Sequence, residues 1–153
     1  MEGLERIVSE HRFFAGLDPN FLSLVTGCAK NVRFDAGQFL IHEGEAADQM
    51  YMIRQGRVAL QTSAPGRGEI TFQTLGEGEM VGVSWLIPPY RWNEDAKALE
   101  LVRAISIDAA CLRNKCEADH HLGYEMMKRF VPVLVERLHA TSMQILDVYG
   151  APK

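Results

Sequence analysis

Between Val32 and Gly82 the chain is divided into short runs whose apolar residues recur with a period of two. Phe39-Leu40-Ile41, Met50-Tyr51-Met52-Ile53, Val58-Ala59-Leu60 and Ile70-Thr71-Phe72 are apolar or alternating. Gly37, Gly44, Gly56, Gly66, Gly68, Gly76 and Gly78 fall between them. Side chains on a strand alternate between two faces, and glycine turns a chain at little steric cost. Regular short strands with glycine turns therefore predict a sandwich or barrel. A further strand pair is expected around Leu99 to Ile107.

Helices flank this region. Leu4, Ile7, Val8, His11 and Phe14 have helical spacing, and Gly16 ends that segment. Asp18-Pro19 reads as an N-cap followed by proline at the first helical position, opening a helix to about Lys30. Asp108 caps a short helix from Ala109 to about Glu117. A long helix is expected from about Asp119 to Val148, with Pro132 kinking it. Its apolar positions form two stripes, more than one barrel face needs. The chain thus reads as one domain over 1–153: helices over 1–30, a jelly-roll β-barrel over 31–107, and C-terminal helices over 108–149.

Composition narrows the function. The net charge is −4, so bulk electrostatics do not favour nucleic acid, though a local basic patch is compatible with it. No apolar run approaches the roughly 20 residues of a membrane span. Met1-Glu2-Gly3-Leu4-Glu5-Arg6 has no signal-peptide character, and the expected location is the cytoplasm. Cys28, Cys111 and Cys116 are an odd, sparse set that suggests no disulfide framework; they are expected to be reduced, mostly buried thiols. No nucleophile elbow, Walker loop or zincin motif is present, so no enzyme is expected. Gly76-Glu77-Gly78 is too short for a dinucleotide fingerprint. The adjacent His120 and His121 diverge on a helix and make no chelate pair.

Three stretches together resemble the cyclic-nucleotide-binding domain of the catabolite-activator superfamily. The first, Ile41 to Val58, has a strand–turn–strand pattern in which Gly44 and Gly56 are expected at positive φ. The second, Leu75 to Ile87, occupies the place of the family's phosphate-binding cassette. There the resemblance implies a short helix after Gly82 whose N-terminal N–H groups hold a phosphate. Val83 stands where the family carries a glutamate that binds the ribose 2′-hydroxyl, a bond valine cannot accept. Trp92 falls on the position of the family's phosphate-binding arginine, with Arg91 one place away and Glu94 and Asp95 opposing an anion unless they point outward. The segment Pro88-Pro89-Tyr90-Arg91-Trp92 is similar to that of small stand-alone bacterial members. The third stretch, Arg137-Leu138-His139-Ala140-Thr141-Ser142, resembles the adenine-contacting run of the family's dimer helix.

The resemblance implies a small-molecule sensor that dimerises in parallel through its long helix. The expected ligand is nucleotide-like, cyclic AMP or another cyclic nucleotide, with no certain cofactor. Gly82, Val83 and Ser84 would supply backbone N–H donors, with a hydroxyl from Ser84. Arg91 would meet the anion, Trp85 and Trp92 would form a wall, and Thr141 and Ser142 would read the base. Two alternatives stay open: a ligand-free scaffold in which the aromatic residues plug the pocket, and a haem-type gas sensor. Ile145 to Gly150 resembles the hinge that precedes the DNA-binding domain in transcription-factor members. Only Ala151-Pro152-Lys153 follows, so direct DNA binding by this chain is not expected.

Overall fold

A computed structural model describes residues 3–66 and 68–150. The readings that rest on 1–2 and 151–153 lie outside the described residues. Helix α1 (Gly3–Glu10), a 3-10 turn (Arg12–Phe14) and α2 (Pro19–Thr26) lead into eight strands. These are β1 (Ala29–Phe34), β2 (Phe39–Ile41), β3 (Gln49–Gln55), β4 (Val58–Ala64), β5 (Gly68–Leu75), β6 (Met80–Val81), β7 (Asp95–Ala98) and β8 (Val102–Asp108). Helices α3 (Ala109–Ala118) and α4 (His120–Gly150) follow. The strands form two antiparallel four-stranded sheets, ordered β1-β8-β3-β6 and β2-β7-β4-β5. The fold is the expected jelly-roll-like arrangement with flanking helices.

Both faces of β3 and β8, the central strands of the first sheet, are buried. On β3, Met50 and Met52 pack towards the helices, whereas Ile53 faces the second sheet. On β8, Ile105 and Ile107 take the helical side and Val102 and Ala104 the inter-sheet side. Double burial explains why these two strands read as nearly continuous apolar runs. Gly44 and Gly56 have φ of +87° and +98°. At Gly56 a Cβ would fall 2.3 Å from the Leu101 carbonyl oxygen, so a side chain is barred by sterics as well as by conformation.

The capping aspartates act as expected. Asp18 Oδ1 accepts from the Asn20 N–H at 2.8 Å, and Asp108 Oδ1 from Cys111 N–H at 2.8 Å. Asp119 Oδ1 accepts from the N–H groups of His121 and Leu122 at the start of α4. α4 continues through Pro132 and on to Gly150, so the hinge expected over Ile145 to Gly150 is helix instead. Leu122, Met126 and Phe130 bury one side of it. Val131, Leu134, Val135, Leu138, Ile145 and Leu146 are exposed on the other. No helix among the described residues is long and apolar enough to cross a membrane.

The cysteine expectation is corrected. Cys28 and Cys111 form a disulfide across 83 residues of sequence, with their Cα atoms 5.7 Å apart. The β1–β8 pairing brings them together: Ala29 lies opposite Ile107, and the Asp108 N–H donates to the Cys28 carbonyl. That juxtaposition depends on strand register and is invisible in local spacing. Cys116 remains a buried thiol, its pKa pushed up to about 11 by burial, with Glu117 and Asp119 adding to the shift.

His11 ends α1 and locks the N-terminal helices to the sheet. Its Nδ1 accepts from the Phe13 N–H at 3.1 Å, and its Nε2 lies 2.9 Å from the Ile53 carbonyl, to which it donates. This arrangement uses the neutral ring, with its proton on Nε2. Burial lowers the pKa of His11 first, the bond to Ile53 works against the shift, and Arg12 and Arg54 deepen it. The unfolded state therefore binds the proton more readily. The contribution of His11 is complete above pH about 6.5 and falls as pH drops below that towards the depressed folded value. Urea unfolding at pH 7.5 and 5.5 should show a larger loss in the native protein than in His11→Gln. Equal losses would contradict this role.

Candidate functional site

The segment between β6 and β7 is tied at three places. Trp85 is 1% exposed and packs on Phe130 of α4, ring centroids 5.1 Å apart. The guanidinium of Arg113 on α3 donates to the Trp85 carbonyl and lies 4.2 Å from the Tyr90 ring centroid. Tyr90 to Trp92 runs beside the turn after β2: Ala47 N–H donates to the Tyr90 carbonyl at 2.7 Å, and Trp92 N–H to that of Glu45 at 3.0 Å.

The short helix expected after Gly82 does not form; the chain is irregular from Gly82 to Ser84 and then passes through bends and turns. Pro88 and Pro89 stop any helix from running on past this segment, since proline lacks an N–H and turns the preceding residue away from helical conformation. Among the described residues, no backbone or side-chain acceptor is recorded for the N–H groups of Val83 and Ser84. Gly82 has φ of +103°, and a Cβ there would stand 2.7 Å from Cη2 of Trp92. Glycine at 82 thus satisfies both a left-handed backbone and a closely packed indole.

The two tryptophans diverge. Trp85 belongs to the core beneath the helices, while Trp92, 5% exposed, is part of the core between the sheets. Trp92 therefore fills barrel interior rather than facing Trp85 across a cleft. Arg91 is exposed, and its Nη1 donates to the Gly44 carbonyl at 3.0 Å. Asp95 points to the rim, where it accepts from the Glu43 N–H at 2.7 Å. Ser84 Oγ accepts from Asn93 Nδ2 at 3.2 Å.

The basic group beside the cassette strand is Arg137, to which the sequence reading gave no role. It reaches in from α4, and its Nη2 donates to the carbonyl of Met80, two residues before Gly82. Its Nη1 is buried with no hydrogen-bond partner. Burial lowers the Arg137 pKa, opposed by Glu94, Glu79 and Glu136; burial raises that of Glu94, opposed by Arg137. A buried donor without an acceptor costs about 1–3 kcal/mol, and Glu94, Glu79 and Glu136 supply negative charge around this guanidinium. The available signal was a cation within the apolar second half of the helix, one turn before Thr141. Thr141 and Ser142 are themselves exposed, and the Thr141 hydroxyl donates to the Arg137 carbonyl at 2.9 Å.

The histidines do not converge. His11 has both ring nitrogens engaged, His42 lies near Asp95, and His121 packs edge-on against Phe21. Among the described residues, no three His, Cys, Asp or Glu side chains group to hold a metal ion.

The chain is 28% identical over 145 residues to a CRP-like cAMP-activated global transcriptional regulator of Mycobacterium tuberculosis, covering 95% of this chain and 63% of the regulator. It is also 28% identical over 134 residues to human potassium/sodium hyperpolarization-activated cyclic nucleotide-gated channel 2, covering 87% of this chain and 14% of the channel. A chain from Geobacter metallireducens GS-15 superposes with a TM-score of 0.78 at 29% identity, covering 91% of this chain and all of that one. The Thermus thermophilus catabolite activator protein shares the fold, with a TM-score of 0.68 at 20% identity, covering 91% and 63% of the two chains. Residues 31–119 match the cyclic nucleotide-binding domain family, and the chain belongs to it.

Proposed function

We propose that this domain senses a cyclic nucleotide-type ligand held between the cassette and α4, and passes the signal on as a homodimer. The observation that carries the reading is the donor set without acceptors: the N–H groups of Val83 and Ser84 on one side, and Nη1 of Arg137 on the other. A phosphate reaching both elements would accept from these donors, and its binding would alter how α4 lies on the sheet. Gly82 gives the backbone its shape, Trp85 fastens the cassette to α4, and Arg91 stands at the rim. The resemblance to cAMP-activated relatives supports cyclic AMP as the first ligand to try.

Dimerisation rests on the exposed stripe Val131, Leu134, Val135, Leu138 and Ile145, whose three- and four-residue spacing is that of a helix–helix seam. Thr141 and Ser142 fall in the gap of this stripe, where a paired helix would bring their hydroxyls to the ligand. The proposed setting is the cytoplasm, with the signal relayed by contact with a protein partner. A ligand-free scaffold is the competing reading, favoured by Trp92 filling the space between the sheets.

Titration with cyclic AMP, followed by tryptophan fluorescence, tests the site in native protein and in Arg137→Gln. Loss of a charge-assisted bond worth about 1.5–3 kcal/mol should weaken binding by roughly ten-fold or more. Equal affinity in the two proteins would remove Arg137 from the site.

A further inference from the structure

A cavity of about 500 Å³ lies between the end of α1, the 3-10 turn, the turn at Glu77 and Gly78 before β6, the end of β3 and the start of β8. Its floor is fixed: the Ile53 carbonyl accepts from His11 Nε2 at 2.9 Å and from the Gly78 N–H at 3.0 Å. The Ile53 N–H donates in turn to the Glu79 carbonyl at 2.8 Å. Arg12, Arg54 and Arg103 line the cavity from three separate elements. Arg12 packs so closely on Gly78 that a Cβ there would lie 3.2 Å from the guanidinium carbon.

These cations share the cavity with two carboxylates but form no ion pair with them. Among the described residues none of the three joins an ion pair, and the one side-chain bond of Arg54 goes to the neutral Asn31 Oδ1, at 3.2 Å. Arg103 also stands directly opposite Arg33 in the β1–β8 pair, an arrangement of like charges that destabilises a sheet. A chain of net charge −4 has thus gathered three unpaired guanidinium groups around one concavity of ligand size. Glu10 and Glu77 line the same cavity, and neither is in an ion pair. They can accept hydrogen bonds from hydroxyl groups.

We propose that this cavity binds a small phosphate monoester carrying hydroxyl groups, of the phosphorylated-sugar class. A monoester dianion offers three terminal oxygens to guanidinium groups arriving from three directions, and the hydroxyls meet the two carboxylates. A cyclic phosphodiester, with one negative charge and two free oxygens, satisfies this set less well. The lining includes Glu77 and Gly78 but none of Gly82, Val83, Ser84 or Arg137, so this site differs from the proposed nucleotide site in its donors and in preference, and it stands whatever that site binds.

Calorimetric titration at pH 7.5 with ribose 5-phosphate, glucose 6-phosphate, ribose and inorganic phosphate tests it. At least one sugar phosphate should bind saturably, more tightly than inorganic phosphate, while ribose gives no saturable heat. Arg54→Gln and Arg103→Gln should each weaken that binding about ten-fold or more. Neither side chain is in the core, so the melting midpoint of the free variants should match that of the native protein. No saturable heat with either sugar phosphate would overturn the proposal, as would affinity unchanged in both variants. Inorganic phosphate binding as tightly as the sugar phosphates would overturn the ligand class. Titration with cyclic AMP in the same variants reads the cassette separately.

Discussion

Trp92→Ala should lower the stability of the domain by about 3–5 kcal/mol, the range for removing a large aromatic side chain from a core. Trp92 is 5% exposed among Leu40, Ile41, Val58, Leu60, Leu75 and Val81 between the two sheets. Its ring also presses on Gly82, where little else can fill the gap. For a chain of this length the loss corresponds to a fall of roughly 10 °C in melting midpoint, readable by circular dichroism. A fall of only a degree or two would mean that the indole is not core. The same variant separates two roles for the ring. If the indole occupies space that a ligand needs, affinity for cyclic AMP rises as stability falls. If it is a wall against which the ligand stacks, both fall together.

Breaking the Cys28–Cys111 disulfide should have an effect of similar size. The bond closes 83 residues, and in the chain-entropy account a loop of that length restricts the unfolded state by about 4–5 kcal/mol. The bond joins the end of the N-terminal helical segment to the first turn of α3, so it encloses every strand of both sheets. Thermal unfolding with and without a dithiol reductant should give midpoints separated by about 10 °C or more. The Cys28→Ala/Cys111→Ala variant should melt with the reduced protein and ignore the reductant. Cys116 should not substitute in exchange, because burial holds its thiol protonated. Identical midpoints under both conditions would show that the bond does not contribute.

Local signals in the sequence were informative where the physics is local. Asp18 and Asp108 mark helix starts because a capping carboxylate acts within three residues. The short runs at Phe39, Met50, Val58 and Ile70 fall within β2 to β5, because alternation and turn glycines are written along the strand itself. The exposed second stripe of α4 was legible for the same reason. Pairings across long stretches of chain were not. Cys28 and Cys111 meet only because β1 and β8 adopt one register. Gly82 could be marked as a cassette glycine, but its contact with Trp92 requires the loop between them to fold back. The cassette helix is absent, and Pro88-Pro89 stops any helix from running on past that segment. Arg91 is nearer the cassette in sequence, whereas the guanidinium buried beside Met80 is that of Arg137, on a helix some 55 residues beyond Gly82.

Thermal unfolding of the intact chain with and without saturating cyclic AMP tests the central claim most directly. A ligand at about 100 times its dissociation constant adds roughly 2.7 kcal/mol to the folded state. A midpoint raised by several degrees, with cyclic GMP compared alongside, is the predicted result. An unchanged midpoint with every cyclic nucleotide tried would contradict the sensor reading and leave Trp92 as the plug of a ligand-free scaffold.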